Sequence, residues 1–255
     1  MGLPEWLKEK KPQDLDAPET TLAHRDLILN KPFLRKLYVS WYDSYLKQLP
    51  KDINGQDLEI GAGGGFLKDL YPEVITSDII ELPNCDLTCS ATDLPFDDHS
   101  LRSIFMLDVL HHIPNVRAFF SEASRTLKKG GAIFMIEPTN TFFSSLIFKN
   151  FHHEPFDPSV RKWEFETSGP LSDSNQALPW VIFKRDILEF QKEYPELKLE
   201  DFKIHTPFRY LLTGGLSYKS VVPGWSFPLI SFFEKLFTPL YPFLAMFQTT
   251  VIRKI

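Results

Sequence analysis

The sequence predicts an α/β protein with a mostly parallel sheet and a last strand that runs antiparallel. Short apolar strands alternate with helical segments through the first half of the chain, which is typical of β-α-β units. Near the end, the alternating segment Leu197–His205 and the β-branched segment 248–255 are predicted to lie side by side as antiparallel strands. With 255 residues, 43% of them hydrophobic, the chain is long enough to bury such a core.

The elements follow one another in a regular order. Apolar side chains at helical spacing predict a helix over Pro32–Leu49, ahead of the sheet. The next predicted elements are strand Asp57–Ile60, helix Phe66–Leu70, strand Val74–Ile79, strand Leu101–Leu107, helix Val116–Leu127, strand Ala132–Glu137 and helix Phe183–Lys192. We expect an N-terminal helical segment, 1–52, and a main domain, 53–255, with insertions at 139–182 and 206–247.

A glycine-rich turn closes the first strand. Residues 59–65 read Glu-Ile-Gly-Ala-Gly-Gly-Gly, and glycines at alternate positions let a ligand or a second backbone approach closely. In parallel α/β sheets this turn holds a nucleotide-like cofactor. Phe66 stands where a dinucleotide-binding turn needs a small residue, and no Gly-Lys-Ser/Thr sequence follows Gly65. NAD, FAD and nucleoside triphosphates are therefore disfavoured.

The motif E-x-G-x-G-x-G at 59–65 resembles the first motif of the class I methyltransferases that use S-adenosylmethionine (SAM), and residues 55–138 follow that family's order of motifs. Residues 91–96 resemble its adenine-binding segment. Residues 106–113 resemble the segment after strand four in the small-molecule branch that includes ubiquinone and menaquinone biosynthesis enzymes. The resemblance implies SAM as cofactor and a Rossmann-like, seven-stranded sheet under an aromatic cap.

The resemblance also implies roles for individual residues. A carboxylate at the tip of the second strand, Asp78, would accept both ribose hydroxyls. Asp93 would bind the adenine amino group, and the Leu94 N–H would read the ring edge. The predicted cofactor contacts are Glu59, Gly61, Ala62, Gly63, Asp78, Ile79, Asp93, Leu94, Leu107 and Asp108. The last two would lie near the methionyl end.

A second cluster follows the predicted strand Ala132–Glu137, where the family that the sequence resembles builds its acceptor pocket. It contains His152, His153 and Glu154, which we predict as catalytic residues. A neutral imidazole held by a carboxylate can take the proton that a hydroxyl loses during methyl transfer. Two alternatives stay open, a divalent ion that acidifies the hydroxyl and a purely structural loop. We predict no metal, because adjacent histidines point in different directions. Of His111 and His112, one is expected to hydrogen-bond locally.

The acceptor is the less determined part of the prediction. A net charge of −5 gives no basic field for nucleic acid. Residues 107–110 read Leu-Asp-Val-Leu and lack the Asn/Asp-Pro-Pro-aromatic sequence of enzymes that methylate bases or glutamine amides. We predict a small or lipid-linked acceptor, with a hydroxyl of a glycan or glycolipid first. The alternatives are carbon methylation of a quinone-like ring and a SAM-binding protein without turnover.

The C-terminal part of the chain is apolar and cationic. Glu234 is the only acidic residue after Phe208, against five lysines and arginines. We hypothesise that residues 223–247 form a cap that faces a membrane or a partner and admits a lipid-linked acceptor. With neither a signal peptide nor a spanning segment predicted, we expect a cytoplasmic protein that contacts the inner face of a membrane peripherally. The oligomeric state is not predicted.

Overall fold

A computed structural model of the chain, which describes residues 5–9, 14–152 and 154–255, contains a single mixed sheet. Its strands are β1 Gln56–Ile60, β2 Ile75–Asp78, β3 Leu87–Thr88, β4 Leu101–Leu107, β5 Leu127–Pro138, β6 Leu197–His205 and β7 Phe247–Lys254. The strand order is β3-β2-β1-β4-β5-β7-β6, and β7 runs antiparallel to both of its neighbours. This topology confirms the predicted fold class.

The helices lie on both sides of this sheet. They are α1 Pro18–Asn30, α2 Pro32–Leu46, α3 Leu67–Leu70, α4 Val116–Thr126, α5 Phe142–Phe151, α6 Leu178–Trp180, α7 Ile187–Glu193, α8 Arg209–Thr213, α9 Phe227–Leu236 and α10 Tyr241–Leu244. A π-helical turn, Val181–Arg185, joins α6 to α7.

The two faces of the sheet bury separate apolar cores. Side chains alternate along a strand, so Ile104 and Met106 of β4 enter one core and Phe105 enters the other. The first core contains Phe119 and Phe120 of α4. The second contains the aromatic side chains of α2. Helices that precede and follow the glycine-rich turn in sequence therefore cover the two faces of the sheet. The carboxyl ends of the strands stay available for ligands.

Strands β2 and β3 lie on one side of β1 and β4 lies on the other, so the strand order reverses between β1 and β4. Ligands of α/β sheets bind at such a switch point. The adjoining N-terminal segment contains a helix, α1, that the sequence does not predict. Its residues are mostly polar, and its buried side chains include Thr20 and Thr21. Contacts with the glycine-rich turn hold α1 in place. The spacing of apolar residues in the sequence does not reveal such contacts. The two-residue β3 was missed for its shortness.

The remaining boundaries differ by a few residues. The helix predicted over Phe183–Lys192 is α7 preceded by the π-helical turn, and β5 begins five residues earlier than predicted, at Leu127. The division into an N-terminal segment and a main domain with two insertions stays a prediction.

Candidate functional site

The glycine-rich turn is tight because two of its positions have no room for a side chain. Gly61 follows β1 with φ of 68°, and a Cβ there would lie 2.5 Å from Cγ2 of Val109. At Gly63 a Cβ would lie 2.7 Å from Cγ2 of Thr21 on α1. Ala62 begins the 3-10 turn between them and is buried. The bare backbone therefore lets the segment after β4 and helix α1 close on the turn.

Asp78 ends β2 and is tied to this turn. Its Oδ2 accepts the Gly63 N–H at 3.0 Å, and its Oδ1 accepts the Ile80 N–H at 3.0 Å. Burial raises the pKa of Asp78, and the two N–H donors oppose that rise. Each carboxylate oxygen keeps a second lone pair, so the ribose hydroxyls remain compatible with this geometry. The neighbouring Ile79 is 52% exposed, an apolar surface beside the carboxylate.

The adenine-binding prediction needs one correction. The N–H of Leu94 already donates to Oε2 of Glu122 at 2.9 Å, and the Leu94 side chain is part of the first core. This N–H therefore has a protein partner and is not available to read the adenine edge. Asp93, by contrast, is exposed and its predicted role stays a prediction.

Buried polar atoms collect around the turn. Oε2 of Glu59, Oγ1 of Thr21 and Oδ1 of Asn84 are buried and have no hydrogen-bond partner among the residues that the structure describes. Asn84 reaches the turn through a bond from its Nδ2 to the Gly63 carbonyl, 3.1 Å long. Burial raises the pKa of Glu59 to about 8. Acceptor atoms left unsatisfied beside a bare turn suit the ammonium and hydroxyl donors of SAM.

Asp108 lies at the end of β4, next to the turn. Its φ of 62° is in the left-handed region, which aspartate tolerates better than most residues. The N–H groups of Val109 and Leu110 then donate to Oε1 of Glu137 at 2.9 and 2.7 Å. Oδ1 of Asp108 is buried without a hydrogen-bond partner in the described part of the chain, and burial raises its pKa to about 7.

A buried imidazole lies between two carboxylates beyond Asp108. Nδ1 of His111 is 2.7 Å from Oε2 of Glu137, and its Nε2 is 3.4 Å from Oε2 of Glu154. Burial alone would lower the pKa of His111, but the hydrogen bonds to both carboxylates raise it well above its usual value. The pKa of Glu154 is lowered well below its usual value, because His111 and its neighbours outweigh the effect of burial. His111 is therefore an imidazolium held between carboxylates.

Glu154 also lies near two further histidines. Nε2 of His112 is 3.7 Å from Oε1 of Glu154, and Nδ1 of His152 is 4.0 Å from Oε2. Gln176 connects the group, since its Nε2 donates to Oε2 of Glu154 at 2.8 Å and lies 3.0 Å from Nδ1 of His152. Two of the three predicted catalytic residues are thus brought together. The third, His153, lies outside the described residues.

His152 is held by Gln176 and by the backbone of its own loop. Its Nδ1 lies 3.0 Å from Nε2 of Gln176 and 3.3 Å from the backbone nitrogen of Glu154. The Gln176 nitrogen also lies 3.4 Å from Nε2 of His152, so the amide contacts both ring nitrogens. The catalytic role of His152 stays a prediction.

Two sets of side chains bring metal-type donor atoms within 4.8 Å of one another: His111 with His112 and Glu154, and His111 with Asp108 and Glu137. Both sets depend on His111, whose two ring nitrogens already face carboxylates. A metal-bound histidine offers a deprotonated nitrogen, whereas this ring is held as a cation. The chemistry of the donor set therefore fits a hydrogen-bonded network better than a metal centre.

Sequence reasoning identified Glu154 and His152 but missed the centre of this network. One of His111 and His112 was expected to hydrogen-bond locally, whereas the side chain of His111 joins two segments distant in sequence, through Glu137 and Glu154. Glu137 gave one signal, a carboxylate that ends an otherwise apolar strand. Gln176 gave no signal in the sequence, because its position depends on how the insertion 139–182 folds back over the sheet.

Comparisons with known proteins agree with this geometry. Residues 58–135 match the family model described as "Methyltransferase domain". No curated protein matches the chain. Phosphoethanolamine N-methyltransferase 2 of Haemonchus contortus, solved with SAM, is 15% identical, with a TM-score of 0.52 over 95% of this chain and 58% of that chain. Geranyl diphosphate C-methyltransferase of Streptomyces coelicolor A3(2) is 13% identical, with a TM-score of 0.49 over 96% and 86%.

The matched domain begins in β1 and ends in β5, so it includes the glycine-rich turn, Asp78 and Asp108. The fold, the ordered motifs and the unsatisfied acceptor atoms around the turn lead to one assignment. Residues 58–135 are a methyltransferase domain, and the chain is a SAM-dependent methyltransferase with SAM as its cofactor.

Proposed function

We propose that this enzyme methylates a hydroxyl oxygen of a glycan or glycolipid, and that Asp108 takes the hydroxyl proton. The observation that carries the proposal is the buried Oδ1 of Asp108, which has no partner among the described residues although polar groups surround it. SAM supplies the activated methyl group, and the residues of the chain position the acceptor and move its proton.

Asp108 has the surroundings that a general base needs. Its carboxylate lies with His111 and Glu137 in a group whose ligand atoms are within 4.8 Å of one another. The cationic ring of His111 favours the ionised form of Asp108, while burial and the carboxylates of Glu137 and Glu154 oppose it. A pKa of about 7 results, close to the pH at which a base works best.

His152 and Glu154 have supporting roles in this proposal. The ring of His152 would hydrogen-bond to an acceptor oxygen and orient it. Glu154 holds His111 in its cationic form and lies within 4 Å of the rings of His112 and His152. An acceptor rich in hydroxyls suits a pocket that offers donors and carboxylates together, since each hydroxyl can both donate and accept.

The test is methyl transfer from SAM to a panel of free sugars, glycolipids and quinone-like rings, measured as release of S-adenosylhomocysteine. We expect a hydroxylated acceptor to accelerate release, and kcat/KM to rise with pH through about 7 as Asp108 ionises. Asp108→Asn should lower kcat by a factor of about 100 or more and remove this pH dependence.

Glu166→Gln is the matched control, because Glu166 is an exposed carboxylate on the insertion next to the site. It should leave kcat and the pH profile unchanged. If NMR finds the transferred methyl group on a ring carbon, the enzyme methylates carbon and the proposed oxygen methylation is wrong. Full activity of Asp108→Asn, with its pH profile intact, would show that another group takes the proton.

A further inference from the structure

We propose that α9, α10 and the first turns of α5 form a docking surface for an anionic lipid bilayer, and that the acceptor is presented from that bilayer. The lipid-linked acceptor rests on the proposed function, whereas docking can be tested without methyl transfer. The structure contains, in its described part, no helix with both the length and the apolarity to span a bilayer. The contact would therefore be interfacial.

Helix α9 exposes an apolar face and buries a charged residue, the reverse of an ordinary surface helix. Its outward side chains are Leu229, Phe232, Phe233 and Leu236, which are 51%, 60%, 51% and 64% exposed. These positions recur at the spacing of one helical face. The opposite face carries Glu234, buried and paired with Arg209. A surface helix normally buries its apolar face and exposes its charges.

The apolar surface extends beyond α9. Trp225, which precedes α9 in the chain, is 73% exposed, and Phe243 of α10 is 62% exposed. Phe142 and Leu146 of α5 are 79% and 51% exposed, and they line a groove with Pro242 of α10. Contiguous apolar surfaces of this kind mark sites of interaction.

The charged residues of this surface indicate which kind of partner it would bind. Glu234 is the sole acidic residue in the segment 206–247, and its carboxylate is consumed by Arg209 and by the N–H groups of Phe208 and Arg209. Lys219 and Lys235 are exposed in the same segment. A surface that offers aromatic and aliphatic side chains beside lysines, and no exposed carboxylate of that segment, complements an anionic bilayer.

The surface adjoins the acceptor site. α10 leads into β7, whose first residue, Phe247, pairs with Pro138 at the carboxyl end of β5. Oγ1 of Thr141, the residue before α5, donates to the carbonyl of Ala245 after α10. Glu137, the partner of His111, lies one residue before Pro138 in β5. The docking surface and the proton-transfer network therefore lie toward the same carboxyl end of β5, which is the side from which we expect a lipid-linked headgroup to be presented.

The test is flotation of the purified full-length chain with vesicles of phosphatidylcholine alone or mixed with phosphatidylglycerol, in the absence of acceptor. We expect flotation with the anionic vesicles. The double variant Phe232→Ser/Phe233→Ser should lower partitioning more than about tenfold. Lys235→Glu should lower it about fivefold on anionic vesicles only. Both changes are at exposed positions, and circular dichroism verifies that the fold is kept.

Leu188→Ser is the control, because Leu188 is an apolar side chain 78% exposed on α7, outside the docking surface. It should float like the unchanged chain. Docking is refuted if the unchanged chain stays with the soluble fraction, or if the double variant floats equally well. It is also refuted if the chain forms a dimer that the double variant dissolves, since the occupant would then be a second copy. Docking without preference for lipid-linked over free acceptors would overturn only the acceptor part.

Discussion

Replacing Glu59 with glutamine should stabilise the fold at alkaline pH and weaken SAM binding at the same time. Glu59 is buried beside the glycine-rich turn, and burial raises its pKa from 4.5 to about 8. Between these values the folded chain keeps a proton that the unfolded chain has released. Stability therefore falls as pH rises from 4.5 to 8 and is constant above that. Glutamine stays neutral and avoids this loss.

The expected size follows from the pKa values. The difference between 4.5 and about 8, at about 1.4 kcal/mol per pH unit, corresponds to ~5 kcal/mol of lost stability above pH 8. Oε2 of Glu59 has no partner among the described residues, so an amide placed there would lack a hydrogen bond, at a cost of ~2 kcal/mol. The net gain is ~3 kcal/mol above pH 8. Near pH 5 the ionisation of Glu59 costs little, so the same substitution should lower the stability by ~1 kcal/mol.

Urea unfolding followed by tryptophan fluorescence, at about pH 5 and about pH 9, measures both values. Glu81→Gln, a change at an exposed position after β2, should alter stability by less than about 0.5 kcal/mol at either pH. Calorimetry should show SAM affinity lowered about tenfold in Glu59→Gln, because the ammonium of bound SAM would ionise Glu59, whereas glutamine stays neutral. Equal stability changes at both pH values would refute the assignment of a neutral, buried Glu59.

Three further changes test the remaining parts of the site and its cap. Asp78→Asn should weaken SAM binding by about 2 kcal/mol, through loss of a charged acceptor for the ribose hydroxyls, and unchanged affinity by calorimetry would remove Asp78 from the site. Gly61→Ala should lower the free energy of unfolding in urea by about 2 kcal/mol, because φ is 68° and Val109 fills the space of the Cβ, and a neutral change would contradict that geometry. Arg209→Met should lower the free energy of unfolding by about 3 to 5 kcal/mol by removing the cation beside the buried carboxylate of Glu234, and a loss below about 1 kcal/mol would show that its two backbone N–H donors suffice.

The sequence by itself determined most of the sheet and the identity of the cofactor, and it predicted the residues at the cofactor end of the site. Strands such as Leu101–Leu107 and Leu197–His205 were predicted with their observed bounds, because apolar runs and alternation are local patterns. Gly61, Gly63 and Asp78 were also predicted from sequence, and the structure brings Gly63 and Asp78 together, while their contacts with SAM stay a prediction. Their chemistry depends on neighbours in the chain, a strand end followed by a turn that needs bare backbone.

Only the tertiary structure decided the acceptor end. His111, Glu137 and Glu154 come from three segments, and their pairing depends on how the insertion after β5 folds back over the sheet. The same holds for Leu94, whose N–H is consumed by Glu122 from another element. Burial and charged neighbours set the pKa of Asp108, and Gln176 orients His152. Neither property is encoded locally, because each depends on side chains distant in sequence that meet only after folding.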